Sequence, residues 1–189
     1  MEPTIPPGGT PGRGYPFGLD AARLLEVAAA CWLAHDGQWF LKVAAELGLE
    51  PAMRLNERAM ASVARIELRE FKRAAGIASL DTVAEVAEWY RLVRCLFGGP
   101  RLPGFRVTGV DADTLVVENL PCLGESIAER SGYGHLRAGE YPPCLGWLER
   151  QRAWGEALSE RYRYTVTREP DDGQPCRYVV RRVPRAPTP

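Results

Sequence analysis

The sequence predicts an α+β fold in which an amino-terminal helical bundle is followed by a small antiparallel sheet covered by helices. Up to about residue 97, apolar residues recur with the helical period of about 3.6. Beyond Gly98-Gly99-Pro100, apolar and polar residues alternate instead, as they do in half-buried strands. The later elements follow the order ββααββ, which favours an antiparallel sheet with helices on one face.

Three helical segments are predicted in the first half of the chain. The first spans Leu19 to Gly48, with Asp20 as its N-cap and a hinge at His35-Asp36-Gly37. The second runs from Pro51, at a typical first helical position, to Ala75 before a glycine. The third runs from about Leu80 to Phe97. These segments predict three or four packed helices.

The second half is predicted to contain two hairpins separated by two helices. Asp111-Ala112-Asp113 and Pro170-Asp171-Asp172-Gly173 supply the turns of these hairpins. In chain order, the six predicted elements are 105–110, 114–119, 123–131, 145–161, 162–168 and 176–183.

We therefore expect two unlike halves, a helical half at residues 19–98 and a cysteine-bearing α+β half at residues 99–183. Residues 1–18 contain five prolines and five glycines and few apolar side chains. Such a segment cannot bury enough surface to offset its chain entropy, which predicts a disordered leader. Residues 184–189 predict a disordered tail for the same reason.

Composition argues against two classes of partner. The 24 basic residues are balanced by 24 acidic residues, without the basic excess of a nucleic-acid-binding protein. No apolar run approaches the roughly 18 residues that span a bilayer, and the amino terminus has no secretion-signal pattern. We expect a cytoplasmic protein that binds neither nucleic acid nor membrane.

Two polar residues interrupt the apolar stripe of the second helix. Asn56 lies four residues before Met60, and Glu67 lies four residues before Phe71. A carboxylate among apolar side chains is costly unless it is paired, protonated or bound to a metal, so Glu67 is a candidate for acid–base chemistry or cation binding. The alternatives are a structural ion pair, with Arg69 or an arginine of a neighbouring helix, and a solvated position at the edge of the stripe.

Asp36 is a second candidate carboxylate. It precedes Trp39 by three residues, so that a helix beginning near Asp36 would place both on one face with Glu46. Asp36 or His35 could then join Glu67 in a carboxylate-rich site for a hard or borderline metal. The simpler interpretation is that Asp36 caps the helix after the hinge. The Glu-x-x-His signature of di-iron bundles does not occur in the sequence.

Three of the five cysteines occupy similar positions. Cys122, Cys144 and Cys176 each follow a proline directly, the first two at predicted helix starts. A helix amino terminus lowers the pKa of a thiol, and thiolates bind soft metals or act as nucleophiles. His135 lies between Cys122 and Cys144 and could complete a set of four ligands. Alternatively, the cysteines pack as small hydrophobic residues.

The other two cysteines have a simpler interpretation. Cys31 and Cys95 fall within apolar helix faces, so we expect both in the core. The odd number of cysteines and the missing secretion signal argue against a disulfide framework.

Several motifs together resemble a known family. The run Trp32-Leu33-Ala34-His35-Asp36-Gly37-Gln38-Trp39-Phe40, with Glu46-Leu47-Gly48 and Ile66-Glu67-Leu68-Arg69, resembles the amino-terminal part of a poorly characterised bacterial and archaeal family. That family looks related to the L-2-amino-thiazoline-4-carboxylate hydrolases. Its members carry spaced cysteines in a carboxy-terminal half similar to the 4-vinyl-reductase type of domain. The resemblance implies a hydrolase of a small cyclic C–N or C–S compound, or a ligand-binding domain.

These observations lead to one leading hypothesis and two alternatives. In the first, a hydrolase site lies between the halves and uses Glu67 and Asp36 as catalytic groups. The three carboxy-terminal cysteines would hold a divalent transition metal, zinc or iron, or supply a nucleophile. Three residues are predicted to contact the substrate: Trp39, Asn56 and His135. The alternatives are a small-molecule sensor with a cysteine-bound metal and an interaction protein with inert thiols; a homodimer is compatible with all three.

Overall fold

The structure, a computed structural model, describes residues 18–97, 106–118, 142–169 and 176–185. Within these ranges the chain forms four helices and four strands. The helices are α1 (Ala21–Leu47), α2 (Leu49–Ala75), α3 (Val83–Phe97) and α4 (Pro142–Ala157). The strands are β1 (Arg106–Gly109), β2 (Thr114–Glu118), β3 (Tyr162–Arg168) and β4 (Arg177–Pro184). The α+β architecture predicted from the sequence is confirmed.

Helix α1 is continuous, so the predicted hinge at His35-Asp36-Gly37 is wrong. One glycine inside a helix costs only about 1 kcal/mol relative to alanine, which is too little to interrupt a helix of this length. Asp36 therefore lies within α1 and does not cap a helix. The predicted cap at the start is confirmed, because the Asp20 carboxylate accepts a hydrogen bond from Arg23 N at 2.7 Å.

Glycines end α1 and α2. Gly48 follows α1 with a φ of 88°, and Gly76 follows α2 in the left-handed conformation with a φ of 68°. Both angles disfavour side chains with a Cβ, so the chain changes direction where glycine stands. Helix α2 starts at Leu49, which places Pro51 within its first turn as the sequence suggests.

A capping box fixes the start of α3, slightly later than predicted. Thr82 Oγ1 accepts a hydrogen bond from Glu85 N at 3.2 Å, and Glu85 Oε2 accepts one from Thr82 N at 2.8 Å. These contacts satisfy donors that a helix start leaves unpaired. The hydrogen bonds from Thr82 also hold the pKa of Glu85 below its ordinary value.

We expect Thr82→Ala to lower the free energy of unfolding by about 1 kcal/mol at pH 7, because a helix cap is lost. A carboxylate with a lowered folded-state pKa stabilises the fold above its unfolded pKa, and this contribution disappears as the pH falls through the folded-state pKa. The loss of unfolding free energy caused by Thr82→Ala should therefore be smaller in acid than at pH 7. Urea unfolding at pH 7 and pH 3, with the exposed mid-helix substitution Ser62→Ala as control, measures both effects. A deficit that stays constant over this range would contradict the part played by ionised Glu85.

The four strands form one antiparallel sheet in the order β1-β2-β4-β3. Both predicted hairpins are present as strand pairs, β1 with β2 and β3 with β4. Strand β2 pairs with β4 so that Val116 lies opposite Val179 and Glu118 lies opposite Arg177. The helix predicted at 123–131 and the turn at 170–173 fall outside the described residues.

One hydrophobic core connects the two halves of the chain. Its buried members come from α2, α3, the sheet and α4, and they include Leu68, Trp89, Leu115, Trp154, Tyr164 and Val180. Helix α4 packs against both α2 and β3. Gly155 permits the second contact, because a Cβ at this position would overlap the backbone carbonyl oxygen of Tyr164. The helical and cysteine-bearing halves therefore share their apolar interior.

The loop between α2 and α3 is fastened to the connection between α4 and β3. Leu80 N donates to Leu158 O at 2.9 Å, and the hydroxyl of Tyr164 donates to Leu80 O at 3.1 Å. The buried hydroxyl of Ser159 donates to Asp81 at 2.5 Å. These bonds hold the end of α4 in place beside α2. None of the helices in the described ranges is long and apolar enough to cross a membrane.

Candidate functional site

Glu67 of α2 forms a bidentate ion pair with Arg150 of α4. Arg150 Nε donates to Glu67 Oε2 at 2.9 Å, and the second hydrogen bond joins an Arg150 terminal nitrogen to Glu67 Oε1. The Arg150 side chain is 4% exposed and that of Glu67 is 17% exposed. Of the partners weighed from the sequence, the arginine of a neighbouring helix is therefore the one found, and Arg69 is not involved.

Aromatic side chains of α4 surround the guanidinium of Arg150. Its carbon lies 5.7 Å from the centre of the Trp147 ring and 5.6 Å from that of Trp154. The two rings are perpendicular, with centres 5.6 Å apart, and Met60 Sδ lies 3.8 Å from a guanidinium nitrogen. These contacts exclude water and favour the cation over the ring faces. Arg150 is thereby held in one orientation towards Glu67.

Burial raises the pKa of Glu67 above its ordinary value of 4.5. The guanidinium of Arg150 opposes this shift through its hydrogen bonds and its charge, and the negative charge of Asp36 adds to it. Asp36 is therefore electrostatically coupled to Glu67, and its own carboxylate lies 3.4 Å from His35 Nδ1. The carboxyl group of Glu67 takes up a proton more readily than an exposed glutamate.

Asn56 also faces α4. It is 7% exposed, and a Cβ at Gly146 would overlap the Asn56 side-chain amide and lie 3.2 Å from Met60 Cγ. Glycine therefore lets the first turns of α4 approach α2 closely. The two polar residues in the apolar stripe of α2 thus lie on one surface, which we call the α2–α4 seam: Asn56, Met60, Glu67, Gly146 and Arg150.

Trp39 differs from these residues in its burial. Its side chain is 40% exposed on α1, three residues after Asp36. Cys31, expected in the core, is also exposed, so that expectation is wrong. Among the described side chains of α1, only Phe40 is buried. An apolar pattern shows that a helix has an apolar surface, but not that another element covers it.

The cysteines of the second half are described to different extents. Cys176 is 6% exposed and packed within the core. Cys144 lies in the first turn of α4, although its side chain is outside the described part of the structure. Cys122 and His135 lie outside the described residues, as does the side chain of Cys95.

The topology brings the starts of α4 and β4 towards one end of the sheet. Glu118, the last residue of β2, pairs with Arg177, the first of β4. A short connection reverses the chain between α4 and β3, which pack together. The start of α4 therefore lies towards the end of the sheet where β3 finishes and β4 begins. Cys144 and Cys176 are at these element starts, and Cys122 follows β2 by four residues in the chain.

The described residues do not by themselves form a metal site. Across ranges 18–97, 106–118, 142–169 and 176–185, no three His, Cys, Asp or Glu side chains are grouped so that they could hold an ion. Cys176, one of the predicted ligands, packs within the hydrophobic core. Zinc or iron ligation by the three cysteines stays a prediction from the sequence.

Sequence reasoning missed the contribution of α4. Trp147, Arg150 and Trp154 are spaced by three and four residues, a helical pattern that could have indicated one shared face. The amide of Gln151 and the hydroxyl of Tyr90 are fully buried without a hydrogen-bond partner among the described residues. Unpartnered buried polar groups are rare in native proteins, so these two positions are unusual, and the ring of Tyr90 lies 6.3 Å from that of Trp154.

Residues 19–99 match a family of unknown function, DUF6125. The matched range covers α1, α2 and α3, and it therefore includes Asp36, Asn56 and Glu67. It ends before the sheet, α4 and the three carboxy-terminal cysteines. No curated protein and no solved structure matches the chain.

Proposed function

We propose that this protein is a small hydrolase that acts on a small cyclic C–N or C–S compound at the α2–α4 seam. The observation that carries the proposal is Glu67, a mostly buried carboxyl group whose pKa is raised by burial. A carboxyl group with a raised pKa holds a proton to higher pH than an exposed one and can therefore donate it, as general acid–base catalysis requires. The resemblance to the L-2-amino-thiazoline-4-carboxylate hydrolases supports the substrate class.

Cys144 is the proposed nucleophile. It lies in the first turn of α4, where the helix dipole favours a thiolate. Six residues separate it from Arg150 on the same helix, which corresponds to about 9 Å along the axis. Asn56 lies beside the start of α4, and Glu67 lies beside Arg150.

The reaction then balances with water as the only co-reactant. The thiolate of Cys144 attacks a ring carbon, and the ring bond from that carbon to nitrogen or sulfur breaks. The departing atom keeps the electron pair and receives a proton from Glu67. Water attacks the covalent adduct, transfers a proton to Glu67 and releases the thiolate. Arg150 holds the carboxylate in position, and Asp36 helps to keep its pKa high.

The second candidate function is a small-molecule binding module without catalysis. The unpartnered amide of Gln151 and hydroxyl of Tyr90 favour it, since a polar ligand that reached them would supply the missing hydrogen bonds. A transition metal on the three cysteines, a cytoplasmic location and a homodimer remain predictions for either function.

We expect Cys144→Ser to reduce hydrolysis of L-2-amino-thiazoline-4-carboxylate by about 100-fold or more, because the nucleophile is lost. Cys31→Ser is the matched control, since Cys31 is an exposed free thiol on α1. Chromatographic detection of the ring-opened product measures the rate. Loss of activity in both variants, or in neither, would contradict the role of Cys144.

Metal analysis of the same proteins separates the two candidate functions. A stoichiometric metal that is lost in Cys144→Ser, without turnover in the wild type, would favour the binding module. Turnover without bound metal, abolished in Cys144→Ser and reduced in Glu67→Gln, would support the nucleophilic mechanism. Unchanged turnover in Glu67→Gln would remove Glu67 from that mechanism.

A further inference from the structure

A second face of α2, beside the one in the seam, lines an open groove of about 340 Å³. Arg65, Leu68, Arg69 and Lys72 recur at spacings of three and four residues, so they lie along one side of the helix. The opposite wall comes from the loop after α2 and from the end of α4, and it includes Ile77. The groove is separate from the seam, where Glu67 and Asn56 point towards α4.

The lining of the groove has a surplus of positive charge. Arg65, Arg69 and Lys72 contribute three cations, against the single carboxylate of Glu160. Arg65 forms no ion pair with any residue in the described ranges, and the Arg69–Glu70 contact is long, at 3.7 Å. The groove therefore attracts an anion.

Lys72 is held in place at the junction of α2 and α4. Its Nζ donates to the carbonyl oxygen of Ala157, the last residue of α4, at 2.8 Å. An ammonium group has three donors, so this bond leaves two for a ligand. Burial lowers the pKa of Lys72, while Glu160 and Asp81 oppose the shift. A bound anion would offset this cost of burial.

The rest of the groove lining is apolar, which indicates that the ligand has an apolar part as well as a negative charge. Ile77 and Ala157 are half-buried and Ala78 is exposed, and these three side chains line the groove above the buried Leu68. Binding sites for small molecules commonly combine an apolar surface with a few charged groups that orient the ligand. A bare inorganic anion would use the cations but leave this surface in water.

We propose that the groove formed by Arg65, Leu68, Arg69, Lys72 and Ile77 binds a small organic carboxylate with a flat apolar body. The carboxylate meets the two arginines and the lysine, and the apolar body covers Ile77, Ala78 and Ala157. Guanidinium groups suit this role because they bind carboxylates in a bidentate manner. The site is independent of the proposed catalysis, and its test measures binding alone.

Three probes separate the contributions to binding in the full-length protein. Benzoate has both the charge and the flat apolar body, benzamide has the body without the charge, and inorganic phosphate has charge without the body. Amide chemical shifts of Ala78 and Ala157 report on the groove. We expect saturable shifts with benzoate, and affinities for the other two probes that are weaker by tenfold or more.

The double substitution Arg65→Gln/Arg69→Gln tests the site itself. Both side chains are exposed, so the fold should be little affected, and we expect benzoate affinity to fall about tenfold or more. Arg54→Gln/Arg91→Gln removes the same charge outside the groove and should leave the affinity within about twofold. Equal affinity of the two double variants, equal affinity for benzamide or phosphate, or no saturation by benzoate would each overturn the proposal.

Discussion

Arg150→Met should lower the free energy of unfolding by about 3 kcal/mol at pH 8, since it leaves the buried carboxylate of Glu67 without its partner. Methionine fills a similar shape between Trp147 and Trp154, so the packing loss is small. Arg150 lowers the pKa of Glu67 in the native protein, and its removal raises that pKa further. Urea unfolding under reducing conditions at pH 5 and pH 8 provides the measurement.

The sign of the pH dependence follows from the raised pKa. A carboxyl group with a folded-state pKa above its unfolded value stabilises the fold most below the unfolded pKa, and this stabilisation is lost as the pH rises through the folded-state pKa. For Glu67, the pH range in which this stabilisation is lost begins near the ordinary pKa of 4.5 and extends to higher pH. The deficit of Arg150→Met should therefore be smaller at pH 5 than at pH 8. A deficit that is equal at both values would show that protonation of Glu67 does not control it.

The double substitution Glu67→Gln/Arg150→Met separates charge from packing. Glutamine has the shape of glutamate without its charge, so the double variant has no unpaired ion in the seam. We expect it to recover most of the stability that Arg150→Met loses at pH 8. If the double variant is as unstable as Arg150→Met, the loss comes from the packing of the arginine stem. Recovered stability combined with lost turnover would support the proposed catalytic role of Glu67.

Gly155→Ala should destabilise the protein by about 2–3 kcal/mol, because the added Cβ would overlap the backbone oxygen of Tyr164. The overlapping atom belongs to a paired strand, β3, and cannot rotate away as a flexible side chain can. Alanine is intrinsically a better helix former than glycine by about 1 kcal/mol, so the overlap must outweigh that gain. Thermal or urea unfolding measures the balance.

Gly37→Ala is the matched control for this substitution. Gly37 lies inside α1, and a Cβ there would have no described atom within 4 Å. The same chemical change should therefore stabilise the protein by up to about 1 kcal/mol. Destabilisation by Gly37→Ala would instead indicate that residues 35–37 need the flexibility of a hinge.

Local signals in the sequence were sufficient to predict most helix ends and strand pairs. Asp20 acts on the backbone within a few residues through a side-chain cap, and Gly48 and Gly76 do so through a positive φ that favours glycine. The alternating residues around Asp111 and Asp113 similarly place β1 beside β2. The prediction of a hinge at residues 35–37 was wrong because a tripeptide that contains one glycine has too small an effect on a helix of 27 residues.

From the sequence, the cysteine-bearing half was the chemically distinctive part of the chain. The structure shows that α4 joins this half to the helical half. The sequence by itself determined that Asn56 and Glu67 share the apolar face of a helix, because helical periodicity is a local property. Only the tertiary structure decided what this face meets. Glu67 pairs with Arg150 across 83 residues of chain, and the exposure of Cys31 depends on which elements cover α1. A periodic pattern defines the surface of one helix, whereas the partner of that surface depends on how distant elements pack around a common core.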